Sequence, residues 1–321
     1  MQTITRPLTL CSLAVALIVA VSFVVPVRGQ QSPEGPRKKV LFLTYPGVGG
    51  PDTRGHESLP YAEEQTIEFG KTGGFDVTTH GDYTRAGEQD LSFFTPDYLN
   101  QFDGLMLMAN GVIGLSTDQK KMIVDFVRNG KGFIGVHCAA LLMYDYPEFG
   151  EMLGAYYVRS ITPGIGGGSG STSAEGRAAP RIPPNQKRFG VLKVEDNTHP
   201  ATRMLGPSWP IVEEFYLYGM RAWSEEDPTF NVSSPGGFKP PIAFSRDRVN
   251  VLLSLDTERT NVEGLRRVVK GGDYPQSWWR NYGQGRSFYT SLGHVTESWT
   301  HDAVFRAHLT GGIRWALGLE N

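Results

Sequence analysis

Three histidines stand where acid–base chemistry is possible. His137 lies in Gly135-Val136-His137-Cys138-Ala139-Ala140, at the end of an apolar run. Small residues on both sides of one reactive side chain permit a tight strand-to-helix turn that lifts that side chain out at the carboxyl edge of a sheet. His137 is the raised residue of that pattern, and Cys138 falls one step past it. Cys138 has two readings, a thiolate nucleophile activated by a histidine or a buried structural thiol. A histidine adjacent in sequence rarely faces its neighbour's side chain, which favours the second. His294, in Gly293-His294-Val295-Thr296-Glu297, follows the strand-like Ser287 to Ser291, and Glu297 supplies a carboxylate able to orient a base. His56, in Arg54-Gly55-His56-Glu57-Ser58, is on a loop ahead of a helix, with Asp52 on the same loop as an acid or hydrogen-bond partner. Its bland alternative is a solvent-exposed loop histidine.

Glu213, Glu214, Phe215 and Tyr216 place paired acids beside aromatics. Two carboxylates can do general acid and base work on a glycosidic bond when their separation is right. Adjacent residues of a strand point to opposite faces, so at most one of the two glutamates should enter a crevice. Trp278, Trp279, Tyr282 and Trp299 gather near the C-terminal histidine. Such rings form either a sugar platform, with Trp278 as its candidate, or core. The glycines from Gly166 to Gly170 lack a following Lys-Ser/Thr and a framing strand and helix, so no nucleotide cofactor is expected. Three histidines and several carboxylates could also coordinate a divalent metal, yet no two of these histidines share an i, i+4 or other short ligand spacing. The cofactor and the metal stay unassigned at this level.

The elements that must bring these residues together follow from hydrophobic patterning. Val40 to Tyr45, Gly104 to Ala109 and Gly132 to Val136 are short apolar runs that read as strands buried on both faces, and Phe75 to Thr79 alternates as another. Ser58 opens a helix with Pro60 in its first turn. Ser116 and Gln119 form a capping box before the apolar stripe Met122, Ile123, Phe126, Val127, and Asn129-Gly130 stops that helix. A helical segment is expected near Pro147 to Leu153. Phe189 to Val194, Phe215 to Tyr218, Val249 to Leu255 and Ser287 to Ser291 are strand-like, and Asp302 to Leu317 closes the chain as an amphipathic helix. Strands alternating with helices predict an α/β fold, an open and mostly parallel sheet with helices on both faces. In such a sheet the loops after neighbouring strands converge on one crevice, where His56 and His137 can meet.

The chain has 321 residues, with 31 Lys and Arg against 33 Asp and Glu. This near-neutral balance gives no reason to expect nucleic acid. Two cysteines build no disulfide framework. With 39 glycines and 21 prolines the domain should be rich in loops. Arg6 precedes an apolar stretch from Leu8 to Val25, and Arg28, Gly29 and Gln30 follow, which predicts a signal peptide over residues 1–29 and a periplasmic or secreted protein. A retained single-span anchor is the alternative, because the run approaches the ~18 residues at which a membrane helix begins to suffice. Membrane contact is expected in that case alone. Residues 30–37 read as a linker and 38–321 as one domain, carrying a Gly/Ser/Pro-rich surface insertion over 160–186.

Several blocks in order, VLFLTY, RGHES, GFIGVHCAA, EMLGAYY, VEDNTHPAT, EEFY, VLLSLD, YGQGRSFYTSLGHVTESW and GGIRWALG, resemble the ThuA-like (trehalose utilisation) family. The resemblance implies a class I glutamine amidotransferase-like, flavodoxin-type fold and an association with disaccharide and keto-glycoside use. His56 matches the histidine of the N-terminal loop and His137 that of the elbow. Glu214 and Tyr216 match the acidic-aromatic block, and His294 the G-L-G-H block. With histidine rather than cysteine at the elbow, glutamine hydrolysis through a thioester is not expected. Many relatives have Asp-His-Pro where this chain has Asp273-Tyr274-Pro275, and a His-Pro where it has the insertion. The expectation is an enzyme hydrolysing or isomerising a glycoside or keto-glycoside. His137 and His294 serve as base and acid, Glu214 orients, and His56, Asp52, Tyr216, Trp278 and Glu297 bind substrate. The alternative from another class is a non-catalytic carbohydrate-binding or interaction module. Either partner is a small carbohydrate, with the oligomeric state open.

Overall fold

The computed structural model describes residues 36–45, 56–81, 90–111, 113–161, 187–220, 241–265 and 268–321. The expected signal peptide, most of the linker, residues 162–186 of the insertion and Asp52 lie outside these residues. Among the described residues no helix is long and apolar enough to cross a membrane.

The apolar runs become the centre of the sheet. In β1 (Lys38–Tyr45) the six residues from Val40 onward are buried, and β3 (Gly104–Ala109) and β4 (Gly132–Val136) are buried throughout. Strands with no exposed face need cover on both sides, which only flanking helices supply here. Gly132 and Gly135 point to opposite faces of β4. A Cβ on Gly132 would lie 2.6 Å from the Ala316 carbonyl oxygen of α6 (Ala303–Ala316), and one on Gly135 would lie 2.8 Å from Leu153 of α4 (Pro147–Leu153). The two bare positions therefore let helices press onto the strand from either side. Alongside α6 pack α1 (Leu59–Gly73) and α5 (Thr296–Thr300), while α3 (Thr117–Arg128) joins α4 on the other face. The capping box of α3 is present: Gln119 N–H donates to Ser116 Oγ at 3.2 Å and Ser116 N–H to Gln119 Oε1 at 3.0 Å. A short α2 (Pro96–Leu99) precedes β3.

The sheet has nine strands, adding β2 (Phe75–Gly81), β6 (Arg188–Val194), β7 (Ser208–Glu213), β9 (Asn250–Leu255), β10 (Pro275–Tyr282) and β11 (Gly285–Thr290), in the order β2-β1-β3-β4-β11-β10-β9-β6-β7. Strands β2, β1, β3, β4 and β11 are mutually parallel. Beyond β11 the pairings are antiparallel, so β10 and β6 run backwards while β9 and β7 again run with the parallel half. Seven of nine strands thus share one direction, as an open, mostly parallel sheet requires. A two-stranded antiparallel sheet, β5 (Tyr157–Ser160) with β8 (Tyr216–Tyr218), stands apart from it in pairing.

Strands β7 and β10 carry no apolar run in the sequence. Strand β7 holds Pro210, tolerated because β7 is the edge of the sheet. Strand β10, PQSWWRNY, is the central antiparallel strand, with Trp278 buried in the core and Trp279 and Tyr282 half-buried against it. Where the family's Asp-His-Pro would stand, Asp273 accepts from Arg246 Nε at 2.7 Å, and the same guanidinium holds Glu195 at 2.7 and 2.9 Å. This corner is a structural tie between the ends of β6 and β10.

Candidate active site

The carboxyl ends of β1, β4, β11 and β7 lie on one edge of the sheet; His137, His294 and Glu214 come soon after the last three, and His56 stands just ahead of α1. At β4 the chain turns as expected for an elbow. His137 has φ +46°, a left-handed conformation that a side chain rarely adopts, at the first position of a 3-10 turn over His137–Leu141. Tyr289 Oη donates to the His137 carbonyl at 2.8 Å and pins the turn from β11. Cys138, one step on, is fully buried, and burial pushes its thiol far above the ordinary range, so it is a structural thiol and not a nucleophile.

The His137 ring is oriented by a group that leaves no choice of tautomer. Nδ1 is 2.6 Å from the Ser291 carbonyl oxygen, which can only accept, so Nδ1 carries the proton. Nε2 then faces the other members of the cluster. Tyr216 Oη lies 2.9 Å from it, His294 Nδ1 3.1 Å, and Glu214 Oε2 3.3 Å. His294 Nδ1 is 2.8 Å from Glu214 Oε2. The second oxygen of Glu214 accepts from Ser160 Oγ, which in turn meets Tyr157 Oη at 2.7 Å. His56 closes the group, its ring edge-on to His137 at 4.6 Å and to His294 at 5.1 Å between centroids.

Position and charge assign different states to these groups. Burial alone would raise the Glu214 carboxyl, but the His137 and His294 imidazoles beside it outweigh that and hold the group far below the usual carboxylate range. Burial works against a charged His294 as well, and the Glu214 hydrogen bond and charge reverse that and raise its pKa. His56 is driven well below the ordinary histidine value, first by burial and then by the two neighbouring imidazoles, so it is neutral. Burial, reinforced by the Glu214 charge, keeps the Tyr216 phenol protonated and a donor. His137 is fully buried and Glu214 almost so, whereas the His294 side chain is 16% exposed and forms the cluster's accessible edge.

The residues singled out in the sequence divide accordingly. His56, His137, Glu214, Tyr216 and His294 come together. Trp278 does not serve as a platform: it has no exposed surface, its Nε1 donates to the Leu153 carbonyl at 2.7 Å, and it packs on Tyr218 and Tyr289. Glu297 does not orient His294 either; its carboxylate is turned outward at the start of α5, 3.4 Å from Lys187. Glu213 fills that role from beneath. It accepts from the amides of Gly293 at 2.9 Å and His294 at 3.1 Å and from Ser298 Oγ at 2.6 Å, so it holds the loop that carries His294. One glutamate of the pair thus enters the cluster and the other supports it. Ser160, assigned to the insertion by composition, ends β5 and is buried against Glu214. Ser160 and the Ser291 carbonyl carry no sequence signature for these roles.

Comparison with known proteins places this arrangement. No curated protein matches the chain. Among solved structures, a ThuA-like protein of Bacteroides uniformis ATCC 8492 is 20% identical, with TM-score 0.57 over 88% of this chain and 92% of its own. A ThuA-like protein of Parabacteroides merdae ATCC 43184 is 20% identical, with TM-score 0.56 over 89% of this chain and 91% of its own. At that identity they establish a shared fold. The family model described as trehalose utilisation matches residues 48–316, which takes in β4, β7, β11 and all five converging residues. The chain belongs to the ThuA, or trehalose utilisation, family.

Proposed function

We propose that the protein converts a carbohydrate at this cluster, hydrolysing or isomerising a glycoside or keto-glycoside. The observation that carries the reading is the His294–Glu214 pair at 2.8 Å, set against the Nε2 edge of a His137 whose tautomer is fixed. Hydrolysis of a glycosidic bond and isomerisation beside a sugar carbonyl both need one group to take a proton and another to give one. His294 is the accessible member, Glu214 supplies the charge that lets it hold a proton, and His137 is the buried partner. Tyr216 is a hydroxyl donor within the same space. Membership of the trehalose utilisation family supports a carbohydrate as the substrate class. The interaction-module reading is less well supported, because Trp278 and Trp299, the rings nearest to a sugar platform in the sequence, are buried. The apolar N-terminal stretch supports a place outside the cytoplasm, which N-terminal sequencing of exported protein checks.

Turnover of a panel of glycosides and keto-glycosides tests the activity. His294→Ala and Glu214→Gln should each lower kcat by about 10² to 10⁴ with the far-UV circular dichroism unchanged. Binding of a sugar without turnover by the wild-type protein would return the decision to the module. Turnover untouched by both substitutions would remove this cluster from the chemistry.

A further inference from the structure

We propose that His56, His137, His294 and Glu214 form a mononuclear site for a divalent first-row transition metal, with Zn²⁺ as the reference ion. Each offers one ligand atom, and the four atoms all lie within 4.8 Å of one another. Ligands at ~2.0–2.2 Å in a tetrahedron around zinc stand roughly 3.3–3.6 Å apart. The separations of 3.1 Å between His137 Nε2 and His294 Nδ1 and 3.3 Å between His137 Nε2 and Glu214 Oε2 are close to that.

A proton shared between Glu214 and His294 accounts for two of the four residues. It does not account for His56, whose Nδ1 is buried with no hydrogen-bond partner among the described residues and whose ring stands edge-on to both other imidazoles. A buried polar atom is normally partnered, and an ion at the centre of the cluster supplies the missing partner. The groups behind the ligands fit the same assignment. The Ser291 carbonyl takes the Nδ1 proton of His137 and turns the bare Nε2 inward, and Ser160 holds the far oxygen of Glu214, as outer partners do in metal centres. Three imidazoles with one carboxylate favour zinc and its first-row neighbours over Mg²⁺ or Ca²⁺, which take oxygen ligands. The four ligands come from four separate segments of the chain, so no ligand spacing is visible in the sequence.

The proposal rests on the cluster being the working site. In the metal-bound form His137, His294 and Glu214 serve as ligands, and the ion supplies charge that their protons would otherwise carry. Tyr216 Oη, no longer needed as a donor to His137 Nε2, becomes the nearest protein hydroxyl for a bound ligand.

The test uses the full chain, stripped with a chelator and titrated with Co²⁺ and then Zn²⁺. About one equivalent should bind per chain, Co²⁺ should give ligand-field absorption in the visible, and Zn²⁺ should displace it. His294→Ala should weaken binding at least about tenfold. Because the elbow at His137 could be needed for folding, His56→Ala on its loop is the second variant, with the same loss expected and folding verified by circular dichroism. A folded wild-type protein that takes up no stoichiometric ion overturns the proposal, as does His56→Ala with unchanged affinity. One bound equivalent without turnover of any glycoside leaves the site standing and overturns the carbohydrate reading alone. Turnover by a chain that never binds an ion does the reverse.

Discussion

Glu213 and Glu214 are neighbours in sequence and opposites in state. Burial pushes the Glu213 carboxyl up, against the Ser298 hydrogen bond and the His137 and His294 charges, whereas the histidine contacts hold Glu214 down. Environments that push two carboxyls apart give them different work. Glu213 is fully buried and accepts from three groups of the 293–298 segment and from the Glu214 amide at 3.1 Å, so its loss orphans several buried donors at once. Glu213→Ala should cost about 3 kcal/mol of stability, and Glu213→Gln, which keeps an acceptor oxygen, about half of that. Urea unfolding of the two variants beside the wild type measures both. An alanine variant within about 0.5 kcal/mol of wild type would mean that the His294 loop is held by other contacts, such as Ser58 Oγ and Trp299 Nε1 on the Gly293 carbonyl.

At the scale of elements, the position of each catalytic candidate depends on how closely helices approach β4. A methyl group on Gly132 would meet the Ala316 backbone oxygen at 2.6 Å, and backbone at the end of α6 cannot step aside. On Gly135 it would meet first the tip of Leu153 at 2.8 Å, a side chain with some freedom, and then the Tyr289 ring at 3.0 Å. Gly132→Ala should therefore destabilise by about 2–3 kcal/mol and Gly135→Ala by about 1 kcal/mol, each offset in part by the lower entropy of the unfolded chain. Equal urea midpoints for the two would refute the ordering. The same elements show what a sequence discloses. Strands β1, β3 and β4 and helix α3 are legible because burial on two faces and a capping box leave local signatures. Strand β10 is not, because tertiary packing rather than an apolar pattern buries Trp278, and β7 is obscured by an edge proline. His56, His137, Glu214, Tyr216 and His294 could be picked out by residue type and by the ends of strands they follow. Their supports could not: a carbonyl at Ser291 has no side-chain mark, and Glu213 differs from Glu214 only in which way the chain turns at the end of β7. Trp278 and Glu297 lie apart from the cluster, which sequence does not show because exposure is decided in three dimensions, the one being sealed into the core and the other turned to Lys187.

For the whole molecule, the junction between the closing helix and the sheet contributes to the response to acid. His308 of α6 is fully buried, with Nδ1 2.9 Å from the Ala201 carbonyl oxygen and Nε2 3.1 Å from Thr290 Oγ1 on β11. The carbonyl can only accept, so Nδ1 holds the proton, and in the neutral ring Nε2 accepts from Thr290. Burial lowers the His308 pKa to about 4, and the bond to Ala201 works weakly the other way. In the unfolded chain the same side chain titrates near its ordinary value of ~6.5. Between these values the unfolded chain binds a proton that the native state refuses, so this residue's contribution to stability is complete above about pH 6.5 and falls as the pH drops toward 4. A difference of that size corresponds to about 3 kcal/mol. In His308→Gln the amide can donate to Ala201 and accept from Thr290 without titrating. Stability measured by urea unfolding from pH 7.5 down to pH 4 should decline less steeply in the variant than in wild type, with the two curves parallel above pH 7 and converging below it. Curves that stay parallel across the whole range would show that His308 takes up its proton in the folded protein as readily as in the unfolded chain, and that α6 is docked without a neutral imidazole at its centre.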